Sequence, residues 1–211
     1  MSAEPAGQLY GRLLATAAED GALRRADGTV VPLPLARWLG PADDTDAELL
    51  ADVETPALDI GCGPGRHVAA LRAAGREAVG IDLSPIAVTI TRMRGADAML
   101  GSVFDHVPGA GSWRTALLLD GNIGIGGAPA ALLARARELL VPSGAVVVEL
   151  DAPRTGSYAI RVRLEATGAE SEWFTWAHVD PDGIAPVAAA AGLAVEWTRP
   201  IGARWFAGLR P

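Results

Sequence analysis

Short apolar runs alternate with segments of helical periodicity from residue 56 to the end of the chain. The runs Thr115–Asp120 and Ala145–Leu150 are apolar at successive positions, which is typical of strands that helices cover on both faces. Leucines between Ala128 and Leu140 recur at helical spacing and predict a helix there. This alternation predicts an α/β protein built on a doubly wound, mostly parallel sheet.

Turn and capping residues mark the boundaries of these elements. Ser84-Pro85 supplies an N-cap and a first-turn proline for one helix. The third strand is weak, because Asp97 and Gly101 bracket only a few apolar positions. The predicted strands are residues 56–60, 78–82, 97–101, 115–120, 145–150, 193–199 and 203–209, and the predicted helices are residues 66–74, 84–93, 128–140 and 182–191.

Two segments fall outside this alternation. Residues 1–50 contain a short amphipathic helix around Leu9–Leu14 and an acidic stretch, Pro41–Asp46, that predicts a loop. Residues 152–179 contain two β-like runs, separated by Gly168. Nothing in either segment has the composition of a flexible linker between independent domains.

A glycine loop follows the first predicted strand. Three glycines stand at alternate positions from Gly61 to Gly65, and Asp82 ends the second strand. Glycine lets backbone approach a ligand closely, and an acid at the next strand end accepts hydrogen bonds from ribose hydroxyls. A dinucleotide fingerprint has another glycine where this chain has Arg66, and it does not require the preceding acid, Asp59. The pattern therefore predicts a nucleoside site of a different kind from an NAD site.

The stretch Asp59-Ile-Gly-Cys-Gly-Pro-Gly65, taken with Asp82, resembles motif I and the following acidic strand end of class I S-adenosylmethionine (SAM)-dependent methyltransferases. The resemblance spans residues 56–211 and is most specific at its start. It implies a Rossmann-like sheet whose seventh strand inserts antiparallel as a hairpin with the sixth. It also implies an N-terminal cap of residues 1–50 and a methyltransferase domain of residues 51–211, in which residues 152–179 form a lid.

The resemblance implies a SAM site along the strand ends. The glycine loop and the amides of the following helix would wrap the methionine end, and Asp82 would bind the ribose. In this family an acid usually contacts the adenine amino group. Ser102 stands at that position here, and Asp105 is the alternative candidate for the contact. The implied cofactor-binding residues are Asp59, Gly61, Cys62, Gly63, Gly65, Asp82, Leu83, Ser102, Val103, Asp120 and Gly121.

Three residues are candidates for catalysis. Methyl transfer is an in-line displacement, so positioning supplies much of the rate, and a base is needed only when the nucleophile retains its proton. His178 is the best candidate base, because we expect His67 to pack beside the glycine loop and His106 to lie in an exposed turn. Asn122 could orient a nucleophile, and Asp120 ends the strand that faces the reacting group.

The aromatic run before His178 predicts part of a substrate wall. Trp173, Phe174 and Trp176 could stack on a flat molecule, or could instead form the core of a hairpin. Tyr10 and Trp38 could join such a wall. No His, Asp or Glu set has metal-ligand spacing, and Cys62 is the single cysteine, so we expect no metal and no intrachain disulfide.

Composition narrows the partners. The 211 residues carry a net charge of −7, which disfavours nucleic acid and anionic membranes and leaves a small-molecule substrate. All 18 basic residues are arginine, which together with abundant alanine and glycine indicates a GC-rich bacterial genome. The sequence shows neither a signal peptide nor a long apolar span, so we expect a soluble, cytoplasmic protein.

Two other functions stay open at this point. An NAD-dependent oxidoreductase would bind nicotinamide, although Arg66 stands where its glycine should be. A non-catalytic SAM-binding module would show cofactor affinity without turnover, and the Ser102 substitution and the lack of an obvious base keep that reading open. The acceptor atom and the oligomeric state are not determined by the sequence.

Overall fold

The computed structural model describes residues 3–211, which form two β-sheets and the helices that cover them. In chain order the elements are α1 Ala6–Thr16, β1 Ala22–Arg25, β2 Val30–Pro32, α2 Leu35–Leu39, α3 Asp44–Ala51, β3 Ala57–Ile60, α4 Arg66–Ala73, β4 Ala78–Asp82, α5 Pro85–Met93, β5 Asp97–Leu100, β6 Trp113–Leu118, a 3₁₀ segment Asn122–Gly127, α6 Pro129–Leu139, β7 Leu140–Leu150, β8 Tyr158–Ala166, β9 Ala169–Glu170, β10 Phe174–His178, α7 Ile184–Ala190, β11 Ala194–Ile201 and β12 Arg204–Arg210. None of these helices has the length and apolar character needed to span a lipid bilayer.

The main sheet has seven strands in the order β11-β12-β7-β6-β3-β4-β5. Strands β7, β6, β3, β4 and β5 pair in parallel. Strand β12 lies between β11 and β7 and is antiparallel to both. The predicted doubly wound sheet, with its last strand inserted as a hairpin, is therefore confirmed.

The continuous apolar runs are explained by burial on both faces of the main sheet. In β6, Leu117 packs into one buried cluster and Leu118 into another, and neither side chain is exposed to solvent. Because successive side chains of a strand point to opposite faces, helices must cover both sides. Helices α4, α5 and α6 accordingly follow β3, β4 and β6 along the chain.

A second, smaller antiparallel sheet joins the two segments that fell outside the sequence pattern. Its order is β10-β8-β1-β2, with β9 paired to β8. Leu23 of β1 pairs with Leu164 of β8, so the N-terminal segment and the segment at 158–178 form one structure. The sequence indicated the later strands but not their pairing with residues 22–32.

The acidic stretch Pro41–Asp46 was predicted as a loop, and that prediction is wrong in its second half. Helix α3 begins at Asp44, with Asp43 as its N-cap. The Asp43 carboxylate accepts from the Asp46 amide at 2.8 Å, and the Asp46 carboxylate accepts from the Asp43 amide at 3.2 Å. This reciprocal capping box satisfies two amides at the helix start. The same turn buries Asp46 completely.

Close packing of the second sheet on the 3₁₀ segment can be tested with Gly124→Ala. A Cβ at this position would lie 2.3 Å from the Ala177 carbonyl oxygen and from Trp176 Nε1. We expect the substitution to lower the free energy of unfolding by about 1–3 kcal/mol, because the added methyl overpacks the contact. Urea unfolding followed by circular dichroism measures it.

Gly7→Ala is the matched control, because Gly7 lies in α1 and a Cβ there meets no atom within 4 Å. We expect it to leave stability unchanged or to raise it by up to about 1 kcal/mol, since alanine favours a helix. Equal stabilities for the two variants would show that the second sheet does not pack tightly on the 3₁₀ segment.

Candidate active site

A cavity of about 860 Å³ lies at the carboxyl ends of the parallel strands and is also lined by the second sheet. The carboxyl edge is where open α/β sheets bind ligands, and the volume is within the usual range for a small-molecule site. Of the residues proposed from the sequence, the cavity wall includes Gly61, Cys62, Gly63, Asp82, Leu83, Ser102, Val103, Asp120, Gly121, Asn122 and His178. The candidate cofactor and catalytic residues thus share one cavity.

The glycine loop presents backbone to this cavity. Gly61 and Gly63 have φ values of 71° and 52°, in the left-handed region that favours glycine. A Cβ on Gly61 would lie 2.8 Å from Asn122 Nδ2, and one on Gly63 would lie 2.8 Å from the Tyr10 hydroxyl. Any larger residue would therefore displace Asn122 or the Tyr10 hydroxyl, which border the cavity.

Cys62 packs inside the loop. Its sulfur faces Gly80 of β4, where a Cβ would lie 2.4 Å from Sγ. Burial raises the pKa of the Cys62 thiol, and the negative charges of Asp59 and Asp82 raise it further. The thiol is therefore neutral at physiological pH, and packing accounts for it.

Asp82 ends β4 at the cavity wall. Its Oδ2 accepts from the Gly63 amide at 2.9 Å, and its Oδ1 accepts from the Ser84 amide at 2.8 Å. Burial raises the pKa of this carboxyl, while the two amides oppose the rise. Each oxygen keeps a second lone pair that can accept from a ligand hydroxyl. Asp82 therefore supports the start of α5 and faces the cavity at the same time.

The strand end after β5 carries Ser102 in place of an acid. Ser102 Oγ accepts from the Phe104 amide at 3.1 Å, and Ser102 and Val103 both line the cavity. Asp105, the alternative acid, is exposed and does not line the cavity wall. Leu83 follows the adjacent strand and lines the cavity. This residue is 67 % exposed.

The loop after β6 is tied to the glycine loop. Asn122 Nδ2 donates to the carbonyl oxygens of Ile60 at 3.0 Å and Gly61 at 2.8 Å. The Asp120 carboxylate accepts from Arg66, with one Nη2–Oδ1 distance of 2.9 Å. Asp120 has a φ of 55°, a conformation that this pairing holds in place. Both side chains thus fix the shape of the cavity floor.

A cluster of buried charges lies beneath this floor. Asp46 accepts from Arg66 Nε at 2.8 Å and from Arg204 Nη1 at 2.5 Å, and lies 3.2 Å from His67 Nε2. Burial alone would raise the pKa of Asp46, but hydrogen bonds from these three residues outweigh it and hold the pKa well below the usual range. Arg204 also binds Glu149, whose Oε2 accepts from the Asp120 amide at 2.6 Å.

His67 and Asp59 lie in the same cluster. His67 Nδ1 is 3.5 Å from Asp59 Oδ2, and both side chains are buried. Burial would lower the pKa of His67, but the hydrogen bond to Asp46 and the negative charge of Asp59 outweigh it and raise the pKa to about 9. His67 is therefore a cation at neutral pH. Asp59 and Gly65 lie behind the loop and do not line the cavity wall.

His178 lies in the part of the cavity wall that the second sheet forms, at the end of β10. Its Nδ1 is 3.1 Å from Asp151 Oδ2, and its Nε2 is 3.3 Å from Arg25 Nη2. The Tyr158 ring stacks on the imidazole with centroids 5.0 Å apart. Asp151 follows β7, so a main-sheet residue orients a histidine from the second sheet.

The same wall is mostly apolar. Phe174 and Trp176 line the cavity and contact each other edge to face, with centroids 6.2 Å apart. Trp173 instead packs against the guanidinium groups of Arg161 and Arg163 outside it. Tyr10 and Trp38 are also in the wall, with the apolar side chains of Leu23, Val31, Leu33 and Leu164.

Several cavity and cluster residues were not found by sequence reasoning. Arg25, Arg37, Glu149 and Asp151 stand in no recognisable motif. These four residues and Asp46 each act through partners far away in the chain. The signal that was available is the Asp43–Asp46 spacing, which is that of a capping box.

Comparison with known proteins defines the class. Residues 57–144 match the family model described as a methyltransferase domain. A search of curated protein sequences gave no match. Residues 57–144 are therefore assigned to a SAM-dependent methyltransferase domain, and neither comparison supports the NAD-dependent alternative.

Solved structures show the same fold over most of the chain. A SAM-dependent methyltransferase from Bacteroides fragilis, in complex with S-adenosyl-L-homocysteine, is 23 % identical with a TM-score of 0.79, covering 98 % of this chain and 94 % of its own. The 1,6-didemethyltoxoflavin-N1-methyltransferase of Burkholderia thailandensis, with 1,6-didemethyltoxoflavin and S-adenosylhomocysteine bound, is 19 % identical with a TM-score of 0.60, covering 79 % and 76 %.

A third structure is an O-methyltransferase from neocarzinostatin biosynthesis, in complex with S-adenosyl-L-homocysteine and 1,4-dihydroxy-2-naphthoic acid. It is 22 % identical with a TM-score of 0.56, covering 73 % of this chain and 48 % of its own.

The charge on His67 predicts a pH-dependent contribution to stability. Because the folded-state pKa of about 9 lies above the ordinary value of 6.5, the contribution is complete below pH 6.5 and is lost as the pH rises through 9. We expect His67→Gln to be less stable than the wild type by about 3 kcal/mol at pH 6, with a much smaller difference at pH 10. Urea unfolding at each pH measures this difference.

His106→Gln is the control, because His106 is an exposed residue. Its stability difference from the wild type should be near zero at both pH values. A difference for His67→Gln that stays constant from pH 6 to pH 10 would contradict a cationic His67.

Proposed function

We propose that this protein transfers a methyl group from SAM to a small molecule bound against the second sheet. The observation that carries the proposal is one cavity whose wall includes both the glycine loop with Asp82 and the pair of His178 with Asp151. The first set suits a nucleoside cofactor, and the second suits removal of a proton from an acceptor. Residues 1–50 and 152–179 would then form the cap and lid that select the acceptor.

The residues present fit the cofactor. A Cβ on Gly101 or Gly121 would meet no atom within 4 Å, so both backbones border open space in the cavity wall. Asp82 would accept from the ribose hydroxyls, and Leu83, Ser102 and Val103 would border the adenine. The glycine loop would wrap the methionine end, with Asp59 and Gly65 supporting it from behind. SAM bound there supplies the methyl group.

The cationic Arg37 lines the cavity and would meet the cofactor's carboxylate. It lies 3.5 Å from Asp120 Oδ1 and 3.6 Å from Asp43, and its Nη2 is buried without a hydrogen-bond partner among residues 3–211. Cys62, Asp120 and Gly121 complete this side of the cavity, where Asp120 or the Gly121 carbonyl would accept from the cofactor's amino group.

His178 would act as the general base. Its Nδ1–H donates to Asp151, which leaves Nε2 to take the proton of an acceptor O–H or N–H group. SAM would supply the methyl group to the acceptor's lone pair, and the electron pair of the broken carbon–sulfur bond would stay on sulfur. The products would be the methylated acceptor, S-adenosylhomocysteine and a proton on His178. Asn122 and Asp120 would hold the cavity floor in the geometry that aligns the reactants.

The acceptor we propose is a flat organic molecule. Phe174 and Trp176 offer aromatic faces on the acceptor side of the cavity. Two of the similar methyltransferases hold fused-ring acceptors, 1,6-didemethyltoxoflavin and 1,4-dihydroxy-2-naphthoic acid. The net charge of −7 argues against a nucleic-acid acceptor.

The cofactor assignment is tested by titration calorimetry with S-adenosylhomocysteine and with NAD. We expect the wild type to bind the first and not the second, and Asp82→Ala to bind S-adenosylhomocysteine about 10- to 100-fold more weakly, because hydrogen bonds to a charged acceptor are lost. Asp97→Ala, at an exposed acid that starts the next strand, should bind like the wild type. Unaltered affinity in Asp82→Ala, or no binding by the wild type, would refute the assignment.

The base is tested by turnover, measured as S-adenosylhomocysteine formed from SAM over a set of hydroxylated and aminated fused-ring aromatic acids. On the best acceptor, we expect His178→Gln to lower kcat by about 10²- to 10⁴-fold while the affinity for S-adenosylhomocysteine stays within two-fold. His106→Gln is the matched control. A kcat that His178→Gln leaves unchanged would show that another group, or the acceptor alone, disposes of the proton.

A further inference from the structure

We propose that Arg25 recognises an anionic group of the acceptor, so that the substrate is a flat apolar molecule that carries a carboxylate or a comparable anion. This inference rests on the proposed function, because it assigns the substrate class of the same cavity. It depends on the charge balance of the cavity wall.

Arg25 is the last residue of β1 and lines the cavity. Its Nη1 donates to the Tyr158 hydroxyl at 3.2 Å, and its Nη2 donates to His178 Nε2 at 3.3 Å. Its Nε is buried and has no hydrogen-bond partner among residues 3–211. The guanidinium therefore contacts a hydroxyl and an imidazole rather than a carboxylate, and it has an unused donor.

The other arginines of the cavity wall are compensated. Arg66 binds Asp46 and Asp120, and Arg37 lies within 4 Å of three carboxylates. Arg25 has no carboxylate within 4 Å among residues 3–211, and the imidazole of His178 separates it from Asp151. Arg25 is thus the arginine of this wall that no carboxylate contacts directly.

The surroundings of Arg25 make an anion the fitting partner. The neighbouring wall consists of apolar side chains, among them Leu23, Leu164 and Phe174, in which a cation without a counter-charge is costly. A carboxylate bound by the planar guanidinium offsets this cost and can form two parallel hydrogen bonds. The apolar wall would take the rest of the same molecule.

The cofactor's own carboxylate is a second possible anion, but the observations favour the acceptor. Arg25 belongs to the second sheet, whereas the glycine loop and Arg37 lie on the other elements of the wall. Arg25 also contacts His178, the proposed base, so an anion held by Arg25 lies beside the group that must receive the acceptor's proton.

The contact with His178 links recognition to catalysis. While Arg25 donates to Nε2, the lone pair that would receive a proton is occupied. An anion that takes over the Arg25 donors releases Nε2. The base is then available when a substrate of the correct charge is bound.

The test uses two probes with the same ring system, 1-naphthoate and 1-naphthamide, titrated calorimetrically into the protein saturated with S-adenosylhomocysteine. We expect the wild type to bind the anion at least 10-fold more tightly than the amide. Arg25→Gln should bind both equally, with the amide affinity unchanged, and Arg25→Lys should keep part of the preference. The affinity of each variant for S-adenosylhomocysteine, measured first, also shows that it is folded.

Arg24→Gln is the matched control, because Arg24 precedes Arg25 on the same strand, pairs with Glu165 and does not line the cavity. It should keep the full preference for the anion. The inference is overturned if Arg25→Gln keeps that preference, or if the wild type binds neither probe or shows no preference. If Arg25→Gln binds S-adenosylhomocysteine at least 10-fold more weakly than the wild type, the anion that Arg25 binds is the cofactor's carboxylate, and the proposal is wrong. A wild type that does not bind S-adenosylhomocysteine at all would instead refute the proposed function.

Discussion

The ion pairs of Asp46 join the parts of the chain on which the cavity depends. A carboxylate without solvent exposure is tolerated only when it is fully paired, and Asp46 is paired by residues from α4 and β12. Arg66 continues the connection to Asp120, and Arg204 continues it to Glu149. The buried charge of Asp46 thus connects helix α3 with the glycine loop and with Asp120 after β6.

Because of these ion pairs, charged side chains are paired differently in two parts of the cavity wall. Around the glycine loop, protein carboxylates and arginines neutralise one another. In the part of the wall that the second sheet forms, Arg25 has no carboxylate within 4 Å among residues 3–211. This difference is the reason why the proposed anion site lies at Arg25.

Local signals predicted the parts of the fold that depend on local physics. Residues such as Leu117 and Leu118 are apolar at successive positions because both faces of their strand are buried, and the spacing from Gly61 to Gly65 reflects backbone conformations that glycine adopts. The Pro41–Asp46 stretch was misjudged because acidic residues suggest solvent. Its capping box and the distant arginines that bury Asp46 outweigh that preference.

The sequence by itself determined the order of the main-sheet elements from residue 56 onward, the glycine loop and the acid at the next strand end, because each follows from neighbouring residues and short periodicities. Only the tertiary structure showed that β1 pairs with β8, that Asp151 orients His178, and that Arg25 contacts that histidine. These contacts join residues that are 27 to 153 positions apart. Pairing at such distances is decided by the packing of whole elements, which no local pattern encodes.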